Sequence, residues 1–138
     1  MPVERKFFSE QHLLYQHVSG TLTPDEMNES VDSLNKIIEQ AETPIHVIAD
    51  MRLVEKFPTS LSTIKNMPPV TDSPNLLWMI LIIKNPVLKF LGSVGLQINF
   101  RHVRSRVFNS MDEACAFLED MDSTLDLHEL LLEIENQR

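Results

Sequence analysis

The sequence has a single cysteine, Cys115, among its 138 residues. No internal disulfide can form, and no cysteine-based metal site can be assembled. Glycine is scarce at 3 residues and proline reaches only 8, which excludes a collagen-like or low-complexity chain. Long apolar runs are missing too. The most apolar stretch, Leu76 to Ile83, is far short of the ~20 residues that a membrane-spanning helix needs. The opening residues Met1-Pro2-Val3-Glu4-Arg5-Lys6 lead into no apolar segment of the signal-peptide kind. These absences point to a cytoplasmic protein without a transmembrane segment.

Catalytic signatures are also lacking. There is no G-x-S-x-G elbow and no phosphate-binding P-loop. His128-Glu129-Leu130-Leu131-Leu132 starts like a zinc-protease helix, but Leu132 stands where the second histidine must be. Gly92-Ser93-Val94-Gly95 lies in an apolar helical pattern without basic neighbours, which fits close helix packing better than a phosphate cradle. Cys115 sits between Ala114 and Ala116 and reads as a small buried apolar side chain. The five histidines are dispersed, and His46 and His102 flank strands in a structural setting. No metal and no cofactor is expected.

What is present is an ordinary globular composition, 43% hydrophobic and 23% charged, enough for one domain over residues 1–138. The net charge of −8 is unevenly placed. Residues 112–138 hold nine acids and one base, so that segment alone carries −8 while residues 1–111 are neutral. An acidic end of this kind repels nucleic acid. The local exception is the basic group Arg101, Arg104 and Arg106.

Arg5 to Ser9 and His12 to Val18 read as two strands joined by a tight turn at Glu10-Gln11, with Gly20 closing the pair. Thr23-Pro24-Asp25-Glu26 is a helix start: a capping threonine, a proline at the first helical position and a glutamate completing the capping box. Met27, Val31, Leu34, Ile38 and Ala41 follow at helical spacing, and Thr43-Pro44 stops the helix. Ile45 to Met51 reads as a buried strand ending near Asp50, with a short helix over Thr59 to Met67 after it. Pro68-Pro69 and Ser73-Pro74 frame a loop. Leu76 to Ile83 has the continuous apolarity of a strand buried on both faces. Pro86 to Phe100 predicts an apolar helix, and Val103 to Phe108 a last strand with Arg104 and Arg106 on one side. Ser110-Met111-Asp112-Glu113 opens a helix with Ala114, Phe117, Leu118 and Met121 inward, and Ser123 is placed to cap a final helix. Strands alternating with helices imply an α/β fold: a mostly parallel mixed sheet with an N-terminal β-hairpin, covered by helices. The core then spans about residues 3–121, and residues 122–138 form an extra acidic helical extension.

This order resembles the anti-anti-sigma-factor-like group, the STAS domains and their SpoIIAA-like relatives. The local likeness lies in Gly20-Thr21-Leu22-Thr23 before the first helix, in the segment VIADMRLVEKF, and in the SMDEACAFL helix. STAS strands often continue as D-L-S-G-V-x-F-I-D-S-S-G. On that pattern Asp50 and Val54 match, Phe57 takes the apolar Ile position, and Thr59 and Ser60 fall where the family's regulatory serines sit. Thr59 and Ser60 are therefore the phosphorylation candidates. Pro58 replaces the aspartate and Leu61 the glycine, so the kinase-read signature is missing. The resemblance covers roughly residues 10–121 and is closest to small stand-alone bacterial SpoIIAA-like proteins. It implies a non-catalytic protein-interaction or regulatory module without the usual phosphorylation switch.

Two candidate regions remain from the residues themselves. Asp50 ends a buried strand, where ligands collect in open α/β sheets, and Arg52 follows. The pair forms either an ion pair beside a small polar site, or a loop-bonding aspartate next to a solvated arginine. The Pro86–Phe100 helix is too apolar for a solvated surface. It is covered by a second subunit, or walls an apolar cavity, or is buried under the acidic last helix. In the cavity reading, Trp78, Phe90 and Phe100 line a pocket for a small apolar, lipid-like anion, with Arg101 and Arg104 at its mouth. Pairing of the arginines with the acidic C-terminal segment is the simpler alternative. A two-fold homodimer through this helix or the last one is the expected assembly.

Overall fold

The computed structural model describes residues 3–56, 62, 66–99 and 103–136. Among them the elements run β1 (Val3–Phe8), β2 (Leu13–Thr21), α1 (Pro24–Glu39), β3 (Ile45–Lys56), β4 (Leu76–Ile82), α2 (Pro86–Asn99), β5 (Ser105–Phe108), α3 (Met111–Met121) and α4 (His128–Asn136). The five strands form one sheet in the order β1-β2-β3-β4-β5. The β1–β2 pair is antiparallel, and every later pair is parallel. The expected mixed α/β sheet with an N-terminal hairpin is what the chain builds.

Helix α1 begins as its sequence dictates. The Thr23 side chain accepts from the Glu26 N–H at 3.2 Å, the Glu26 carboxylate accepts from the Thr23 N–H at 3.1 Å, and Pro24 opens the first turn. Met27, Val31, Leu34 and Ile38 are its buried stripe. In β3, Ile45 through Asp50 are all buried, because both faces of this central strand are covered.

The strands are laid down in one direction, so right-handed parallel crossovers put their connections on one face. That face is packed by Val31, Leu34 and Ile38 of α1 and Leu88 of α2, against Leu14, Val47, Met79 and Leu81. After β5 the chain turns back under the opposite face. There Ala114, Cys115 and Leu118 of α3 and Leu130 and Ile134 of α4 cover Leu13, Tyr15, Ile48, Ile80 and Ile82. Helices α2 and α4 therefore stand on opposite sides of the sheet, and burial of α2 under the acidic last helix does not occur.

The end of β3 and the start of α4 differ from the sequence expectation. β3 continues to Lys56, because Ser19, Gly20 and Thr21 of β2 go on pairing with Leu53, Val54 and Lys56 after β4 has ended. Ser123 caps no helix. Asp122 and Thr124 bond each other, Leu125 and Leu127 turn into the core, and the Asp126 carboxylate accepts from the His128 N–H at 3.0 Å to start α4. The expected short helix over Thr59–Met67 falls mostly outside the described residues. No helix among the described residues is long and apolar enough to cross a membrane.

Candidate functional site

The carboxyl rim of the sheet is organised by Asp50. It pairs with His17 of β2 on one side and with Ile82, the last residue of β4, on the other. Side chains two residues apart on a strand share a face. Arg52 therefore reaches back onto Asp50 along β3, and Tyr15 reaches across from β2. Asp50 Oδ1 accepts from Arg52 Nε at 2.8 Å and from its backbone N–H at 3.2 Å. Oδ2 accepts from Arg52 Nη2 at 2.7 Å and from the Tyr15 hydroxyl at 2.6 Å. Asp50 is only 2% exposed. His17 stacks on the Tyr15 ring, with centroids 6.4 Å apart.

Burial raises the pKa of the Asp50 carboxyl. The hydrogen bonds from Arg52 and Tyr15 and the charge of Arg52 outweigh that and hold it below the usual carboxylate range. Burial, with the Asp50 carboxylate beside it, pushes the Tyr15 phenol well above its usual range. The hydrogen bonds to Asp50 raise the Arg52 guanidinium further. Each group is fixed in its neutral-pH form, and each carboxylate oxygen accepts two hydrogen bonds. Asp50 has no free lone pair directed at a substrate proton, so the cluster lacks the makings of a general base. It is a clamp that ties β2 to β3 where β4 stops.

A second polar cluster lies at the opposite end of the sheet. His46 is buried on β3, and its Nε2 stands 3.0 Å from Asp122 Oδ2 at the C-cap of α3. Asp122 Oδ1 accepts from the Thr124 hydroxyl at 2.6 Å. The Thr124 bond first, and His46 second, hold the Asp122 carboxyl down at about 2. His46 Nδ1 is buried without a hydrogen-bond partner. Nearby, the β1–β2 turn carries three consecutive left-handed residues, Ser9 (φ 53°), Glu10 (φ 55°) and Gln11 (φ 69°). Ser9, Glu10, His12, Thr124, Asp126 and Glu129 line an open polar cleft of about 380 Å³. Among the described residues no three histidine, cysteine or carboxylate side chains are placed to hold a metal.

The structure brings some of the sequence candidates together and separates others. Asp50 and Arg52 make the ion pair, Asp50 also accepts from the Arg52 backbone N–H, and the Arg52 side chain stays partly exposed. Trp78 packs on the α3 face, edge-on to Phe117 with centroids 4.9 Å apart. Phe90 belongs to α2 across the sheet and is 68% exposed. These two do not share a wall. Arg106 lies over the Trp78 and Phe117 rings at 5.8 and 5.9 Å. Arg104 is exposed, and among the described residues neither arginine pairs with the acidic C-terminal segment. That segment meets Lys6 instead, through Glu133 at 2.7 Å. Phe100, Arg101, Thr59 and Ser60 lie outside the described residues. Cys115 is buried, and burial, with Glu119 and Asp112 nearby, pushes its thiol up to about 11. It is no nucleophile at neutral pH.

Sequence reasoning missed Tyr15 and Asp122. The signal for Tyr15 was a phenol inside a strand, since a buried tyrosine hydroxyl needs a partner. Asp122 had no such signal, because its partner His46 is 76 residues away.

No family model matches the chain, and no curated protein does. The similarity lies in three dimensions. An uncharacterised protein of the DUF3478 family from Shewanella loihica PV-4, solved by crystallography and described as having a SpoIIAA-like fold, superposes with a TM-score of 0.55 at 12% identity. The match covers 84% of this chain and 91% of that one. Such a likeness speaks to architecture, and it agrees with the strand order and hairpin found here: the chain has a SpoIIAA-like α/β fold.

Proposed function

We propose that the protein is a non-catalytic interaction module of regulatory type. It works in the cytoplasm by binding protein through the α2 side of the sheet, without the phosphorylation switch of the STAS group. One contrast supports this reading. The polar groups at the carboxyl rim are consumed by one another, while α2 leaves Val87 and Phe90 in solvent at 62% and 68% exposure. A surface whose chemistry is closed and whose apolar side chains are open is suited to recognition, because exposed apolar patches mark interaction sites. The carrier alternative draws no support from Trp78 and Phe90, which face away from each other across the sheet.

The test is affinity capture from host extract with the wild-type chain and with Phe90→Glu as baits. Captured proteins are then purified and titrated individually. The reading expects at least one protein that binds the wild type and loses affinity for Phe90→Glu. Identical captured sets overturn it. So does substrate turnover by the purified chain that Asp50→Asn abolishes while the fold is retained.

A further inference from the structure

Strand β5 closes one side of the sheet, and no described strand lies beyond it. Its inner side is bonded to β4. The Met79 N–H donates to the Arg104 carbonyl at 2.8 Å, and the Ile83 N–H donates to the Phe108 carbonyl at 3.0 Å. Successive residues of a strand turn their main chains to opposite sides, so every second residue addresses the same neighbour. Arg104, Arg106 and Phe108 address β4. The N–H and C=O groups of Ser105 and Val107 therefore point out along the free edge. The side chains beside this edge are of one kind. Arg104 and Arg106 are two residues apart, so they share a face of the strand, and both are exposed. Arg106 is held over the Trp78 and Phe117 rings at 5.8 and 5.9 Å, which positions its guanidinium. Among the described residues neither arginine makes an ion pair. Glu113 and Asp120, one turn either side of Phe117 on α3, pair with neither of them.

We infer that the open edge of β5 receives an extended acidic segment of a partner protein. Its main chain bonds Ser105 and Val107, and two carboxylates, two residues apart, meet Arg104 and Arg106. This is strand addition, in which main-chain hydrogen bonds supply affinity and alternate side chains supply specificity. Same-face side chains recur every ~7 Å along both strands, so the carboxylates and the arginines stay in step. The two edge strands of a second copy do not suit the place. In a two-fold pairing of β5 with β5 that joins Ser105 to Val107, Arg106 stands opposite its own copy, and like charges directly opposite oppose pairing. The other edge strand, β1, has a single acid, Glu4, followed by Arg5 and Lys6. The surface is separate from the exposed side chains of α2 and does not depend on them.

The test is selection of a random decapeptide library on phage against the purified full chain, followed by anisotropy titration of the enriched peptides. Peptides with Asp or Glu at alternate positions among strand-forming residues are expected. Bound peptide should slow hydrogen exchange of the Ser105 and Val107 amides, which exchange fast in the free chain. Ser105→Pro removes one outward N–H at the first residue of an edge strand, where proline is tolerated. It should weaken binding about twofold to tenfold, as loss of one hydrogen bond does. Arg104→Glu sets a like charge against the peptide and should weaken binding about tenfold or more, with recovery when the facing acid of the peptide is replaced by lysine. Circular dichroism checks that both variants fold; should Ser105→Pro unfold, Arg104→Glu decides, since its side chain is exposed and its main chain is unchanged. Three results overturn the inference: no enriched peptide; enriched peptides without alternate acids; or acidic peptides whose affinity survives Arg104→Glu and whose binding leaves exchange at Ser105 and Val107 unchanged.

Discussion

Asp50→Asn tests whether the Tyr15–Asp50–Arg52 cluster clamps the sheet. The change keeps the side-chain shape and removes its charge. The native carboxylate accepts four hydrogen bonds, from Arg52 N, Nε and Nη2 and from the Tyr15 hydroxyl, at 3.2, 2.8, 2.7 and 2.6 Å. Asparagine has one acceptor oxygen. If that oxygen keeps Nε, the amide NH₂ faces Nη2, donor against donor, and only the tyrosine hydroxyl can reorient to accept. A guanidinium with 18% side-chain exposure is then left without a counter-charge. Removing one partner of a buried ion pair costs about 3–5 kcal/mol, and the partial exposure of Arg52 places this case near about 3 kcal/mol. That is a large share of the ~5–15 kcal/mol that holds a domain folded. Urea unfolding at pH 7, followed by Trp78 fluorescence and far-UV circular dichroism, reads it directly. With m near ~1–3 kcal/mol/M, the midpoint should fall by about 1–3 M at unchanged m. The difference should also close in acid. The Asp50 carboxyl is held below its usual range, so the stabilisation is complete above the unfolded carboxylate pKa of ~3.9 and is lost as pH falls through the folded value. A loss under about 1 kcal/mol at pH 7 would mean that desolvation cancels the ion pair. That result, or a difference unchanged on acidification, refutes the clamp.

Three further expectations follow from the same geometry. Cys115, with its thiol near 11 and buried, presents about one thiolate in a thousand at pH 8, so a chromogenic disulfide should label it only at the rate of opening; rapid labelling of native protein contradicts its placement. The Asp122 carboxyl, held at about 2, contributes stability that is present above about pH 4 and lost as pH falls toward 2. Asp122→Asn should flatten the acid-unfolding profile in that window, and a parallel profile argues against the His46 and Thr124 bonds. Glu10→Gly should be neutral or stabilising by up to about 1 kcal/mol, since a left-handed residue with a Cβ costs about 1–2 kcal/mol and glycine returns about 0.5–1 kcal/mol through the unfolded chain. A fall in the thermal midpoint would show that the Glu10 side chain holds the turn.

Signals confined to one turn or one strand were legible in the sequence. The Thr23-Pro24-Asp25-Glu26 start is seen in both reciprocal bonds of the capping box. The Leu76–Ile83 run becomes β4, buried toward its carboxyl end as a strand inside a parallel sheet must be. The rim position of Asp50 was readable from an apolar run that ends in a carboxylate. The true end of β3 was not, because pairing with β2 carries it past β4 to Lys56. The start of α4 was not either, since Leu125 and Leu127 were drawn inward by a core assembled from strands far earlier in the chain.

By itself, then, the sequence determined the kinds of element, the caps that begin them, the continuous apolarity of the central strands and the acidity of the last segment. Each of these is written within a few consecutive residues. Only the tertiary structure decided which faces meet. Right-handed crossovers sent α1 and α2 to one side of the sheet, and the return after β5 sent α3 and α4 to the other. That separation placed Trp78 away from Phe90 and brought Tyr15 onto Asp50 and His46 onto Asp122. Handedness and register are properties of paired strands, and no single segment of the chain carries them.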